Sequence, residues 1–164
     1  MKKTTLLLLS SAFFLLGGCA NNSNNSQSRN DETSSSKKSS TVSETSSNQV
    51  VDSDNETTLL SSTWQFDKFT VHQIEAEIDD GQLEVKVEWQ PNTEKRAAFS
   101  NFGQVKVTQN GQTLSSVEQD DDFDADEAIR DLDLTYRYQN KTNPVKIEIS
   151  SADGEKHAVS FKLQ

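Results

Sequence analysis

One cysteine, two prolines, two histidines and six glycines stand among 164 residues, and each shortage closes off a class of protein. A lone cysteine excludes an intrachain disulfide, so any folded part depends on its hydrophobic core. The six glycines fall in the leader and in turns and form no phosphate-cradling loop, and no Gly-x-Ser-x-Gly elbow occurs. His72 and His157 have no third donor at metal-ligand spacing and are expected to be surface strand residues. No apolar run reaches the roughly 20 residues of a membrane-spanning helix. The longest, Leu6–Leu16, is broken by Ser10 and Ser11. Positive charge is also short: 16 Lys and Arg stand against 26 Asp and Glu, a net charge of −10. With no basic stripe to displace counterions, nucleic acid is excluded as a partner.

What is there begins with the leader. Met1-Lys2-Lys3 is a basic start, Leu6–Leu16 an apolar run, and Gly17-Gly18 a small pair directly before Cys19. Leader, small pair and cysteine together form a secretory signal. The stretch Leu16-Gly17-Gly18-Cys19 resembles the lipobox of bacterial lipoproteins. That resemblance implies cleavage before Cys19, a diacylglycerol thioether on it, and a chain held on the outer face of the cytoplasmic membrane. Two acyl chains give stable attachment where one gives marginal binding. Loss of residues 1–18 would remove two lysines and no acid, leaving 14 basic against 26 acidic residues.

Residues 19–62 read as the lipidated cysteine and a disordered tether. From Ala20 to Ser62, 26 of 43 residues are Asn, Ser or Thr, too few apolar groups to offset the entropy of ordering. Val50-Val51 and Leu59-Leu60 are the only pieces there that could pair or dock.

From Thr63 to Gln164 the pattern is all-β. Leu83, Val85, Val87 and Trp89 alternate with charged residues, as do Ile74, Ala76 and Ile78 before them; Asp80-Gly81 between them predicts a hairpin. Trp64, Phe66, Phe69 and Val71 predict a further strand, with a bulge near Asp67-Lys68. Val105 and Val107, the turn Asn110-Gly111, the run Leu132 to Tyr138, and a last hairpin around Asp153-Gly154 complete the set. Seven to eight short antiparallel strands with regular turn signals predict a two-sheet sandwich, with Trp89 as its central plug.

Four pieces carry a family resemblance: Leu83–Trp89 with Gln90-Pro91-Asn92-Thr93, Val105–Leu114, Tyr136-Arg137-Tyr138, and Asn143–Ile149. Together they resemble the immunoglobulin-like domain of unknown function found in lipoproteins of low-GC Gram-positive bacteria. The resemblance implies an immunoglobulin-like sandwich at the cell surface and no particular chemistry.

One segment stands apart. Glu118 to Glu127 holds seven acids in ten residues, and Asp120, Asp122, Asp124 and Asp126 repeat every second position, with Asp131 twelfth from Asp120. That spacing is similar to the oxygen ladder of a calcium loop, although Ala125 stands where glycine makes the sharp turn. The competing expectation is a solvated acidic connection, with Phe123 folded back onto the sandwich. No catalytic constellation is visible, and no cofactor is expected beyond a possible calcium ion. The sequence therefore points to a non-enzymatic surface module that binds an envelope protein or cell-wall component. The alternatives are a ligand- or metal-capturing lipoprotein of a transport system, or a calcium-binding surface protein acting through the acidic loop 118–131.

Overall fold

The computed structural model describes residues 42–92, 96–123 and 127–164. The leader, Cys19 and the tether as far as residue 41 lie outside them. In chain order the strands are β1 (Val42–Val51), β2 (Thr57–Thr58), β3 (Trp64–Gln65), β4 (Phe69–Asp79), β5 (Gln82–Pro91), β6 (Gly103–Gln109), β7 (Gln112–Thr113), β8 (Ser116–Asp121), β9 (Arg130–Tyr136), β10 (Val145–Ser151) and β11 (Lys156–Leu163). A single 3₁₀ turn, Phe99–Asn101, precedes β6, and the described residues contain no α-helix.

Alternation produces these strands. In β5, Leu83, Val85, Val87 and Trp89 are buried while the polar residues between them are not. Successive side chains of an extended chain leave on opposite faces, so this pattern hides one face. Hairpin turns then fix the register. Asp80 and Gly81, at φ 47° and 75°, and Asn110 and Gly111, at 51° and 74°, supply the left-handed pairs of type I′ turns.

The strands form two sheets, β1-β11-β10-β6-β7 and β2-β4-β5-β9-β8, with β3 also pairing β4. Taking β4, β5, β6, β8, β9, β10 and β11 as strands A to G, the orders A-B-E-D and C-F-G emerge, those of the immunoglobulin constant-type sandwich. β7 stands beside the C strand, and β1 extends the other edge by pairing parallel to β11. The pairing is thus not wholly antiparallel, as the alternation alone implied.

The inner faces meet in one core. Trp89 is its centre, edge-on to Phe99 at 5.2 Å and tilted against Phe102 at 5.6 Å, contacts that add to the burial of a large ring. Gly103 sits where a Cβ would lie 2.8 Å from the Ser150 carbonyl oxygen and 2.9 Å from Phe69 Cζ, so the crossing of chains there admits no side chain. Gln109, 1% exposed, satisfies its amide completely. Nε2 donates to the carbonyls of Asn140 and Asn143 at 2.7 and 2.8 Å, and Oε1 accepts from the backbone of Gln139 and Asn140. One side chain thereby ties the 139–143 connection to the end of β6.

Three expectations are corrected. The boundary at Thr63 falls too late: β1 pairs with β11 from Val42 onward, and Val51 and Leu59 lie in the core, so residues 42–62 belong to the sandwich rather than to a disordered tether. Asp67-Lys68 is the turn between β3 and β4, closed by Phe66 N–H to Phe69 O at 2.9 Å. The register shift lies between Val71 and Gln73 instead, and makes His72 the extra residue. Phe123 is 39% exposed and does not fold back onto the core.

Candidate functional site

The acidic segment 118–131 is described at residues 118–123 and 127–131. Its first residues extend β8, and Asp131 lies in β9, with Asp120 opposite Asp133 and Asp121 opposite Leu132. Asp122 N–H donates to the Asp131 carbonyl at 3.0 Å, which continues the hairpin. A strand sends alternate side chains to opposite faces, so Asp121 is turned away from Asp120. Asp120 and Asp131 face outward. Asp124 and Asp126 lie outside the described residues, as does Cys19. Among the described residues no three His, Cys, Asp or Glu side chains are grouped to hold a metal.

Asp121 points inward and does structural work. Its Oδ2 accepts from Phe99 N–H at 2.7 Å, while Oδ1 is buried without a partner. Burial raises its pKa, against the Phe99 hydrogen bond and the Arg130 charge, which lower it. Arg130, 4% exposed, donates from Nη1 to the Ala97 carbonyl at 3.2 Å and places Cζ 5.5 Å from the Trp89 ring centre. Together these two side chains fix segment 97–99, where the chain crosses between sheets.

The more extensive feature is the outer face of β4-β5-β9-β8. Its cross-strand neighbours are Glu77 with Glu84, Glu88 with Asp131, and Asp120 with Asp133. Three like-charge pairs thus stand directly opposed, an arrangement that destabilises a sheet. Lys86 is the one cation among them, between Glu75 and Asp133 in register and 3.5 Å from Asp131 Oδ2. The Asp131 charge, foremost, holds the Lys86 pKa up. A cleft of about 200 Å³ lies over it, walled by Glu56, Glu75, Glu77, Glu84 and Asp133. Partial desolvation, then Asp79 and Glu77, raises the Glu84 pKa. Partial desolvation, then Glu75, does the same for Glu56. Asp133 is raised chiefly by desolvation, which outweighs the nearby Lys86.

The opposite sheet is composed differently. On its outer face Lys146 pairs with Glu44, and Lys156 with Glu148 at 2.8 Å, a contact that lowers the Glu148 pKa. Its acids have partners, whereas those of the first sheet outnumber their single lysine. The sequence signal for this is the acid at alternate positions of segments 75–79 and 131–133 and at Glu84 and Glu88 on either side of Lys86.

The two histidines are placed apart in role. His72, at the bulge of β4, lies 3.2 Å from Gln90 Oε1. His157 is stacked on Trp64 at 5.4 Å, edge-on to Phe66 at 5.0 Å, and 3.4 Å from Glu155. Both are packed strand residues, His157 turned toward aromatic rings rather than out to solvent.

A second concavity opens on the side of the sandwich, between β6 and β8. It measures about 220 Å³, with a floor of Phe99, Leu132 and Leu134 beside Val105. Ser100, Gln104, Gln119 and Tyr136 supply its polar groups. Burial pushes the Tyr136 pKa up to about 12.

In comparisons with family models, with curated proteins and with solved structures, nothing matches this chain.

Proposed function

We propose that the chain is a lipid-anchored, non-enzymatic binding module displayed outside the cytoplasmic membrane, and that the acidic face of β4-β5-β9-β8 is its contact surface for a cationic partner. The partner is an envelope protein or a cell-wall component carrying amino groups. One observation carries the reading: three like-charge pairs stand directly opposed on one sheet face, an arrangement that weakens strand pairing. Residues that cost stability are retained where function uses them. A face of one sign also steers an oppositely charged partner and speeds its encounter. The anchor rests on the leader and on Leu16-Gly17-Gly18-Cys19.

Both halves are tested in intact Gram-positive cells. A clickable fatty acid should label the wild-type chain and leave Cys19→Ala unlabelled. A photoreactive side chain at position 133 should cross-link to a defined basic species, and the same group at position 106, on the opposite sheet, should not. Absence of label on the wild type, or equal cross-linking from the two faces, would overturn the reading.

A further inference from the structure

The sheet edges of this sandwich are not equally protected. β8, at one edge, carries Glu118, Gln119, Asp120 and Asp121 and is shifted in register between Ser116 and Glu118. Charge and irregularity are the usual means by which an edge is kept from pairing with other chains. β6 is different. On one side it pairs with β10 along its whole length, Gly103 to Gln109. On the other, β7 covers only Thr108 and Gln109.

Which groups this leaves open follows from strand geometry. In an antiparallel ladder the N–H and C=O of one residue point to the same side, and those of the next residue to the other. The Val107 carbonyl accepts from Leu114 N–H at 2.9 Å, so Val107 faces the β7 side. Val105, two residues earlier, presents its own N–H and C=O to the same side, where no described strand stands beside it.

The side cleft lies directly against this edge. Phe99, Val105, Leu132 and Leu134 line it together with Ser100, Gln104 and Gln119, and Tyr136, 5% exposed, lines it without a hydrogen bond to any described residue. Gln119 occupies the core-facing position of β8 opposite Leu134, where an apolar residue would seal the two sheets together. An open main-chain edge, a partly apolar cleft and the side chains of Tyr136 and Gln119 occur at one place.

We infer that the free edge of β6 and the adjoining cleft bind an extended polypeptide segment of another protein, which adds a strand beside Val105 and seats alternate side chains between the sheets. An extended chain is the ligand that offers main-chain donors and acceptors at strand spacing together with side chains on one face. The cleft selects short β-branched side chains, one of them hydroxylated to meet Tyr136 and Gln119. The residues between them are acidic, because they stand beside Gln104 and the exposed Lys106 on the outer face of β6, where a lysine would make a like-charge pair. This surface is distinct from the acidic sheet face, and its use does not depend on lipid anchoring.

The test uses the full chain in mild detergent and two synthetic peptides. The first is a capped octapeptide alternating valine and glutamate, with threonine at a central valine position. The second has the same sequence with alternate backbone nitrogens methylated, which keeps charge and shape but removes the pairing edge. Hydrogen exchange is followed by NMR. The first peptide should slow exchange of the Val105 amide at least tenfold at saturation, and the methylated peptide should leave it unchanged. Gln119→Trp, a change at an exposed position, should fill the cleft and weaken binding at least tenfold while the spectrum elsewhere stays that of the wild type. Equal effects of the two peptides, protection confined to residues 116–121 of β8, or a Val105 amide already protected by a second copy in the free protein would each overturn the inference. So would undiminished binding to Gln119→Trp.

Discussion

At the scale of single residues, Gln109 shows how a buried polar group is tolerated. It is 1% exposed yet meets two carbonyls and two backbone N–H groups, so the cost of removing it from water is offset in full. Gln109→Ala would strip these partners together and leave them facing an apolar wall. The expected loss is about 2–4 kcal/mol, since each abandoned buried group costs about 1–3 kcal/mol. Gln112→Ala, which removes only an exposed bond to Gln139, should change stability by less than about 0.5 kcal/mol. Urea melts of the two variants measure the contrast. Little in the sequence marked Gln109, because a glutamine at the end of a strand reads as surface until the 139–143 connection is seen folded over it.

At the scale of elements, the legible strands were those with one apolar face. Leu83 to Trp89 and Ile74 to Ile78 declared period two, and Asp80-Gly81 and Asn110-Gly111 declared their turns. β1 stayed hidden because it is a polar edge strand, Val-Ser-Glu-Thr-Ser-Ser-Asn-Gln-Val-Val, that reaches the core at Val51. Composition judged it a tether, yet pairing along β11 outweighs that composition. β8 was missed for a related reason: its core-facing positions hold Gln119 and Asp121, which alternation alone assigns to solvent. The candidate site was only half legible, since opposed pairs such as Glu77 and Glu84 require the register. Gly103 tests the packing of these elements against each other. Gly103→Ala would drive a Cβ to 2.8 Å from the Ser150 carbonyl oxygen, a backbone atom that cannot rotate away. Differential scanning calorimetry should show a loss of about 1–3 kcal/mol, as for other overpacked sites. Gly81→Ala meets no atom within 4 Å and is disfavoured only by its φ of 75°.

At the scale of the whole molecule, the sandwich holds its charge against its own stability. Glu56, Glu84, Asp121 and Asp133 have raised folded-state pKa values, each first through desolvation, and Glu148 has a lowered one through Lys156. A carboxyl whose pKa is raised on folding keeps protons that the unfolded chain has lost. Its stabilisation is therefore full below the unfolded pKa, about 4, and is lost as pH rises through the folded value. Glu148 acts in the opposite sense, and its contribution disappears only as pH falls through its lowered pKa. Four groups against one predict a higher melting temperature at pH 5 than at pH 7. The gap should narrow in 1 M salt, where exposed charges are screened. A melting temperature that fell steadily from pH 7 to pH 5 would count against this balance of charges. The acidic face itself is tested most directly by the urea stability of one variant. Glu84→Gln, Glu88→Gln and Asp133→Asn together keep every shape on that face and relieve all three like-charge pairs. A face kept for a partner rather than for the fold predicts that the triple variant is more stable than the wild type, by about 0.5–2 kcal/mol. A triple variant less stable than the wild type would show that the carboxylates serve the fold, and would contradict the account.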